Sequence, residues 1–203
     1  MLKKVLLLIC LSVFAFNATK AQTDNEARKV LDKTAAIVGN KGGALANFKL
    51  TSGKIGTING TISIKGNKFY ARTSKATVWF NGKTQWSYLP STNEVNVSNP
   101  NESQQAAMNP YTFINMYKSG YKLSMNKVGH DYQVHLVAEK GNKGIPEIYV
   151  LVDATYKPKQ VKMKRGGEWS TITISNFQQK NLSDHLFSFN SKDFPSAEVV
   201  DLR

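Results

Sequence analysis

The sequence predicts a mainly β (α+β) protein built on one large antiparallel sheet. Short segments of alternating apolar and polar residues, divided by turn residues, follow one another from Phe48 to Phe177. One amphipathic helix precedes these segments and another interrupts them. The chain has 203 residues, of which 41% are hydrophobic and 10% aromatic. It can therefore bury a sizeable core, and this composition excludes wholesale disorder.

Residues 1–21 have the order of a secretory signal peptide. Lys3 and Lys4 precede the apolar run Val5 to Phe16, and small and polar residues lead to Ala21, after which we expect cleavage. The run of about twelve residues is too short for a membrane-spanning helix, which needs roughly twenty. Ile9 before Cys10 is unlike a lipid-attachment site. We expect a soluble exported protein with a single domain over residues 22–203.

The mature chain begins with a predicted helix over about residues 24–38. Thr23 and Glu26 have the spacing of a capping box, and apolar residues recur at three-and-four spacing from Ala27 to Val38. Glycines at positions 39, 42 and 43 end the pattern.

The most distinct strand pair is the hairpin of residues 77–88. Asn81-Gly82 lies between two β-rich arms and predicts a two-residue type I′ turn, which pairs Phe80 with Lys83 and Trp79 with Thr84. Period two then places Trp79, Trp86 and Tyr88 on one face, and Val78 and Phe80 on the other. Parity alone leaves open which face is inside.

The remaining elements complete a sheet of short strands. The first sheet segments lie around residues 48–50, 55–64 and 69–71, and Glu94 to Val97 extends the hairpin. After a loop, Pro110 to Lys118 predicts a short helix because Phe113, Met116 and Tyr117 share a helical face. Further strands follow at residues 121–126, 131–138, 145–152, 158–165 and 168–177.

Several classes of chemistry lack their sequence signatures. The only cysteine, Cys10, lies in the signal peptide, so the mature chain has no disulfide or thiol nucleophile. No nucleotide or hydrolase motif is present, and the histidines lack metal-ligand spacing. The formal charge is +13, but no run of five basic residues occurs. We predict neither an enzyme nor a metal or cofactor site, and no nucleic acid partner.

Large apolar residues on a curved sheet are the candidate binding residues. They are either core residues or the lining of a pocket for an acyl chain. We favour the tryptophan face as the lining because two exposed tryptophans and a tyrosine would form a sticky surface. The candidates are Phe48, Phe69, Trp79, Trp86, Tyr88, Phe113, Met116 and Tyr117.

The chain resembles the periplasmic lipoprotein carriers of the lipoprotein-localisation pathway (LolA-like proteins). Residues 81–90, NGKTQWSYLP, are similar to the family pattern DGKTLWxYxP. Further similar blocks follow in family order across the mature chain: Glu94-Val95, Asn109-Pro110 with Phe113-Ile114, Asp153 to Lys157 with Lys159 to Met163, Leu186 to Phe189, Pro195, and Val199 to Arg203.

The resemblance implies an open, incomplete antiparallel β-barrel with a helical lid and an apolar cavity. It also implies a periplasmic carrier that receives lipoprotein acyl chains from an inner-membrane exporter and delivers them to an outer-membrane acceptor. An envelope-stress sensor or other lipid-binding interaction domain on the same scaffold is the alternative. One departure concerns the lid. In several family members an arginine of the strand that corresponds to Ile64 to Phe69 holds the helical lid closed. This stretch has no arginine here, and Arg72 lies too far along the chain to take over the role.

Overall fold

A computed structural model of the protein describes residues 23–101, 104–105, 115–139 and 144–203. Residues 23–38 form helix α1, which agrees closely with the predicted helix at about 24–38. Among the described helices, none has the length and apolarity required to cross a bilayer. The predicted signal peptide lies outside the described residues.

Twelve strands of the described chain form a single open sheet. Its order is β12-β6-β5-β4-β3-β2-β1-β11-β10-β9-β8-β7, and β12 and β7 are the two edges. The strands are β1 (Ala44–Ser52), β2 (Gly56–Lys65), β3 (Lys68–Thr73), β4 (Thr77–Phe80), β5 (Gln85–Leu89), β6 (Glu94–Ser98), β7 (Tyr121–Val128), β8 (Asp131–Ala138), β9 (Glu147–Val152), β10 (Pro158–Arg165), β11 (Glu168–Gln179) and β12 (Glu198–Asp201). The predicted open antiparallel architecture is confirmed.

The sequence analysis did not predict strand β12. β12 pairs with β6 in parallel, and Val199 lies beside Val95. A segment of four residues at the end of the chain has too little alternation to identify a strand, and its pairing depends on a distant partner. All the other pairings in the sheet are antiparallel.

The β4–β5 hairpin forms with a different register from the predicted one. Phe80 pairs with Gln85 and Trp79 with Trp86, so the turn is longer than two residues. Gly82 has a φ of +99°, but Asn81 does not have the positive φ that a type I′ turn requires. Instead the Asn81 side chain accepts hydrogen bonds from the backbone N–H groups of Lys83 and Thr84 at 3.0 and 2.9 Å. The register moves by an even number of residues, so the predicted faces survive.

The second predicted helix is only partly visible. Its residues 110–114, including Phe113, lie outside the described chain. Asn115 is α-helical, and Met116–Lys118 continues as a short 3-10 helix that ends two residues before β7. Two more 3-10 helices, Asp184–Phe187 and Ser191–Asp193, lie between β11 and β12.

The core lies between α1 and the concave, inner face of the sheet. Ala27, Val30 and Leu31 of α1 are buried against the inner residues of β7 to β10. At the other end of α1, Val38 packs with Ile64, Phe69 and Phe80 in a second cluster. The apolar stripe of one amphipathic helix therefore covers the apolar face of the sheet.

Candidate cavity between the helix and the sheet

An apolar cavity of about 290 Å³ lies between α1 and the inner face of the sheet. Residues of α1, Tyr117 of the first 3-10 helix and seven strands line it. Among the lining side chains are Leu31, Val38, Phe48, Phe69, Met163 and Ile172. The helix lies across the concave sheet without filling the space beneath it.

Among the residues that the structure describes, the cavity lining includes no charged side chain and few polar atoms. Thr34 and Tyr117 are the polar residues of this described lining. The Thr34 hydroxyl donates to the Val30 carbonyl at 3.0 Å, and the Tyr117 hydroxyl donates to the Asp32 carboxylate. Both hydroxyl groups are thus engaged within the protein. The described part of the lining can bind hydrocarbon and offers no anchor for a polar head group.

Strand alternation accounts for the apolar lining. Phe48 of β1 pairs with Ile174 of β11 on one side and with Gly60 of β2 on the other. A Cβ atom at Gly60 would lie 2.6 Å from Phe48 Cζ and 2.5 Å from the Arg72 carbonyl oxygen. Only glycine at this position allows the Phe48 ring to lie over β2 on the inner face of the sheet.

A polar network fastens the N-terminal half of α1 to the segment before β7. Arg28 Nη1 donates to the Tyr117 carbonyl at 2.9 Å, and its Nε contacts Asp24 Oδ2 at 2.7 Å. Asp24 also accepts a hydrogen bond from Leu123 N at 3.1 Å. Burial, followed by the hydrogen bond to Asp32, raises the pKa of Tyr117 well above its ordinary value.

The arginine that links α1 to the segment before β7 is therefore Arg28, which lies in α1 itself. The sequence analysis considered only the stretch Ile64 to Phe69 and Arg72. The visible sequence feature of this link is the Asp24 and Arg28 spacing of one helical turn. In the stretch that lacks the family arginine, Lys65 and Lys68 instead contact Asp184 at 3.2 and 3.1 Å. These lysines fasten the C-terminal segment to the sheet.

A second set of contacts links the middle of α1 to Tyr156, which lies between β9 and β10. Lys33 Nζ donates to the Tyr156 hydroxyl at 3.0 Å and lies 4.3 Å from the centre of its ring. Tyr156 stacks on Tyr132 with ring centroids 5.6 Å apart. Tyr156 has a φ of +65°, a conformation that a bulky residue rarely adopts without surrounding support.

The predicted binding residues separate into three groups. Phe48, Phe69 and Tyr117 line the cavity. Met116 is half-buried against the neighbouring core but does not reach the cavity, and Phe113 lies outside the described residues. The third group, Trp79, Trp86 and Tyr88, is not in the lining.

The prediction that the tryptophan face lines the cavity is wrong. Phe80 and Val78 lie on the inner side with Phe69, while Trp79 points to the outer, convex face. There its ring makes edge contacts with Phe189 and Phe194 at centroid distances of 5.5 and 5.6 Å. The C-terminal segment thus covers Trp79, and Phe194 also contacts Tyr88, while Trp86 and Tyr88 stay half-buried.

Sequence reasoning also missed most of the true lining. Apart from the three residues above, most of the lining consists of aliphatic and small side chains such as Val38, Ile62 and Ala71, together with the aromatic Phe177. These residues were visible as alternating apolar positions, yet nothing in that pattern distinguishes a cavity wall from filled core.

Comparison with known proteins adds the family to this geometry. The family described as outer membrane lipoprotein carrier protein LolA matches residues 17–167. The chain belongs to the LolA carrier family. No curated protein gives a significant match.

Solved structures resemble this LolA-family chain at low sequence identity. An uncharacterized conserved protein from Thermus thermophilus has a TM-score of 0.59 at 13% identity, covering 87% of this chain and 99% of that chain. A LolA superfamily protein from Nitrosomonas europaea has a TM-score of 0.44 at 12% identity, with coverages of 80% and 97%. The lipoprotein LppX from Mycobacterium tuberculosis gives 0.44 at 11%, with coverages of 80% and 98%. The Thermus structure supports the fold alone.

Proposed function

We propose that this protein is a periplasmic carrier that binds lipoprotein acyl chains beneath α1 and delivers them to the outer membrane. The observation that carries the proposal is the apolar cavity of about 290 Å³ in a chain of the LolA family. Burying each methylene of an acyl chain is worth about 0.8 kcal/mol, so an acylated protein needs such a site to travel through water. The proposal includes no catalytic step and no cofactor.

Partners and location belong to the same proposal. Residues 1–21 direct the chain across the inner membrane, an exporter in that membrane loads it, and an acceptor in the outer membrane unloads it. The apolar lining that the described residues form suits a carrier that must release its cargo, because hydrocarbon contacts are non-directional.

The first experiment tests acyl-chain binding with a synthetic triacylated lipopeptide. Ala71 faces the cavity and Thr61 lies on the opposite face of the adjoining strand. Ala71→Leu fills part of the cavity, so we expect the mature protein carrying it to lose the soluble lipopeptide complex that the wild type forms. Thr61→Leu adds the same side chain outside the cavity and should bind like the wild type.

The carrier step needs its own assay. Inner-membrane vesicles containing the exporter and an acylated lipoprotein should release that lipoprotein into the soluble fraction when the wild-type carrier is added. Equal binding by both leucine variants would contradict the assigned cavity. Lipopeptide binding without release from vesicles would contradict the carrier role and favour the sensor alternative.

A further inference from the structure

The outer face of β7 to β11 carries a group of basic and aromatic side chains that the cavity does not use. Lys162 Nζ lies 4.6 Å from the centre of the Trp169 ring, and Lys164 Nζ lies 5.8 Å from it. The Tyr149 ring lies 5.9 Å from that of Trp169. We call this group the outer patch; with the exposed Lys122 and Val137, its members are Lys122, Val137, Tyr149, Lys162, Lys164 and Trp169.

Strand register places the outer patch on one surface. Tyr149 pairs with both His135 and Lys162, and Lys164 pairs with both Glu147 and Trp169. These rungs alternate with the buried ones, so their side chains all point away from α1. Five strands at about 4.8 Å spacing make this surface roughly 20 Å wide.

The outer patch has an excess of positive charge that Glu147 offsets only in part. Within the described chain, no salt bridge involves Lys122, Lys162 or Lys164, whereas Lys65, Lys68 and Lys159 each have an acidic partner. Glu147 lies on the same rung as Lys164 and interacts with its charge, and its Oε1 also lies 2.9 Å from His135 Nε2. Asp131, on the same face, contacts Lys159 at 2.6 Å.

We propose that the outer patch is a docking surface for an anionic lipid bilayer. Lysine side chains on a surface that carries tryptophan and tyrosine match the interfacial layer of a membrane, where cationic and amphipathic aromatic groups are favoured. The patch is broad and distinct from the cavity lining, so it fits an array of phosphate head groups better than one small ligand. The exposed Val137 adds an apolar contact.

Docking would bring the carrier to the membrane surface without using the acyl cavity. It relies on the exported location proposed above but not on an acyl cargo. The two proposals can therefore fail separately: patch variants should still bind the triacylated lipopeptide, and Ala71→Leu should still bind vesicles.

The test measures co-sedimentation of the mature protein with vesicles. One set contains equal parts of phosphatidylglycerol and phosphatidylcholine, and the other contains phosphatidylcholine alone. We expect binding to the anionic set only, with an affinity that falls as salt is added. The double variant Lys162→Gln, Lys164→Gln should bind about 30-fold more weakly, from the contribution of two basic residues near an anionic surface. Trp169→Ala should weaken binding as well.

A matched double variant separates the patch from net charge. Lys75 and Lys83 are exposed turn residues outside the patch, and Lys75→Gln, Lys83→Gln removes the same charge. This variant should change affinity by no more than about threefold, because its lysines lie away from the docked surface. Circular dichroism and urea unfolding verify that each variant is folded.

Four outcomes would overturn the proposal. These are equal weakening by both double variants, normal vesicle binding by the patch double variant, equal binding to the two vesicle compositions, or absence of binding to anionic vesicles. If the patch variants bound vesicles normally but failed to release lipoprotein with the exporter, the patch would be assigned to an acidic protein surface instead.

Discussion

Two halves of the same sheet use their outer faces in opposite ways. In the half formed by β3 to β6, the C-terminal segment covers the outer face, and Trp79 is only 7% exposed. In the half formed by β8 to β11, the outer face carries the half-exposed Tyr149 and Trp169. Both halves bury their inner faces, against the two ends of α1.

The sequence of each half reflects this difference. β4 reads TVWF, with no polar residue except Thr77, and three of its four residues are buried. In β8 the buried Val134 and Leu136 alternate with more exposed residues. A short, continuously apolar run is typical of a strand covered on both faces, whereas alternation indicates one solvated face. An outward-facing aromatic residue is therefore buried in β4, as Trp79 is, but half-exposed in β11, as Trp169 is.

Replacing one tryptophan in each half gives the largest expected contrast. Trp79→Ala removes a ring packed between the sheet and Phe194, so we expect the free energy of unfolding to fall by about 3–5 kcal/mol. Trp169→Ala removes a half-exposed ring and should cost about 1 kcal/mol. Urea unfolding of the mature protein measures both values. Similar losses in the two variants would show that the two outer faces are equally packed.

A hydroxyl group placed on each face tests which side binds hydrocarbon. Val150 lines the cavity, and Val137 lies on the outer face of the adjoining strand. Val150→Thr keeps the shape of the side chain but buries a hydroxyl beside the acyl chain, which should weaken lipopeptide binding about tenfold. Val137→Thr should leave the affinity unchanged.

Trp86→Ala sharpens the same comparison because Trp86 pairs with Trp79 on the outer face. Its lipopeptide affinity, measured by titration of folded protein, should match that of the wild type. A stronger effect from Trp86→Ala than from Val150→Thr would place the binding surface on the tryptophan side.

The hydrogen bond between Tyr117 and Asp32 of α1 predicts a smaller, pH-dependent effect on the free energy of unfolding. Tyr117→Phe removes the hydrogen bond to Asp32 and should lower the free energy of unfolding by about 1–2 kcal/mol near neutral pH. Because folding raises the pKa of Tyr117 above its ordinary value of 10.0, this contribution is fully present below pH 10 and lost as pH rises above it. The difference between wild type and variant should therefore shrink in alkaline solution.

A matched removal of a hydroxyl group gives a reference value near neutral pH. The Tyr88 hydroxyl donates to the Asn93 side-chain oxygen at 3.2 Å, so Tyr88→Phe should lower the free energy of unfolding by about 1 kcal/mol there. A difference between wild type and Tyr117→Phe that stayed constant above pH 10 would refute the assigned contact with Asp32.

The smallest expected effect concerns Glu147 on the outer face. Hydrogen bonds, first from His135 and then from Tyr149, hold the pKa of Glu147 below its ordinary value of 4.5. His135→Ala should raise that pKa toward the ordinary value, as measured by NMR titration of the side-chain carboxyl group. An unchanged pKa would mean that His135 does not bind Glu147 in solution.

Local patterns were sufficient for most of the fold. The recurrence from Ala27 to Val38 identified α1, and alternation identified the strands that form the sheet, because both depend on neighbouring residues along the chain. The hairpin faces were also correct despite the shifted register, since an even shift preserves parity. The β12 pairing was missed because it depends on a parallel partner about a hundred residues away.

The sequence by itself determined that Trp79, Trp86 and Tyr88 share a face, and that Phe80 lies opposite them. Only the tertiary structure decided which face encloses the cavity, because parity is unchanged when a sheet is turned over. That choice depends on which segments cover the two sides: α1 lies on the inner side, and Phe189 and Phe194 cover Trp79 on the outer side. The empty space beneath α1 likewise arises from the distance between helix and sheet, a property that no single segment of the chain contains.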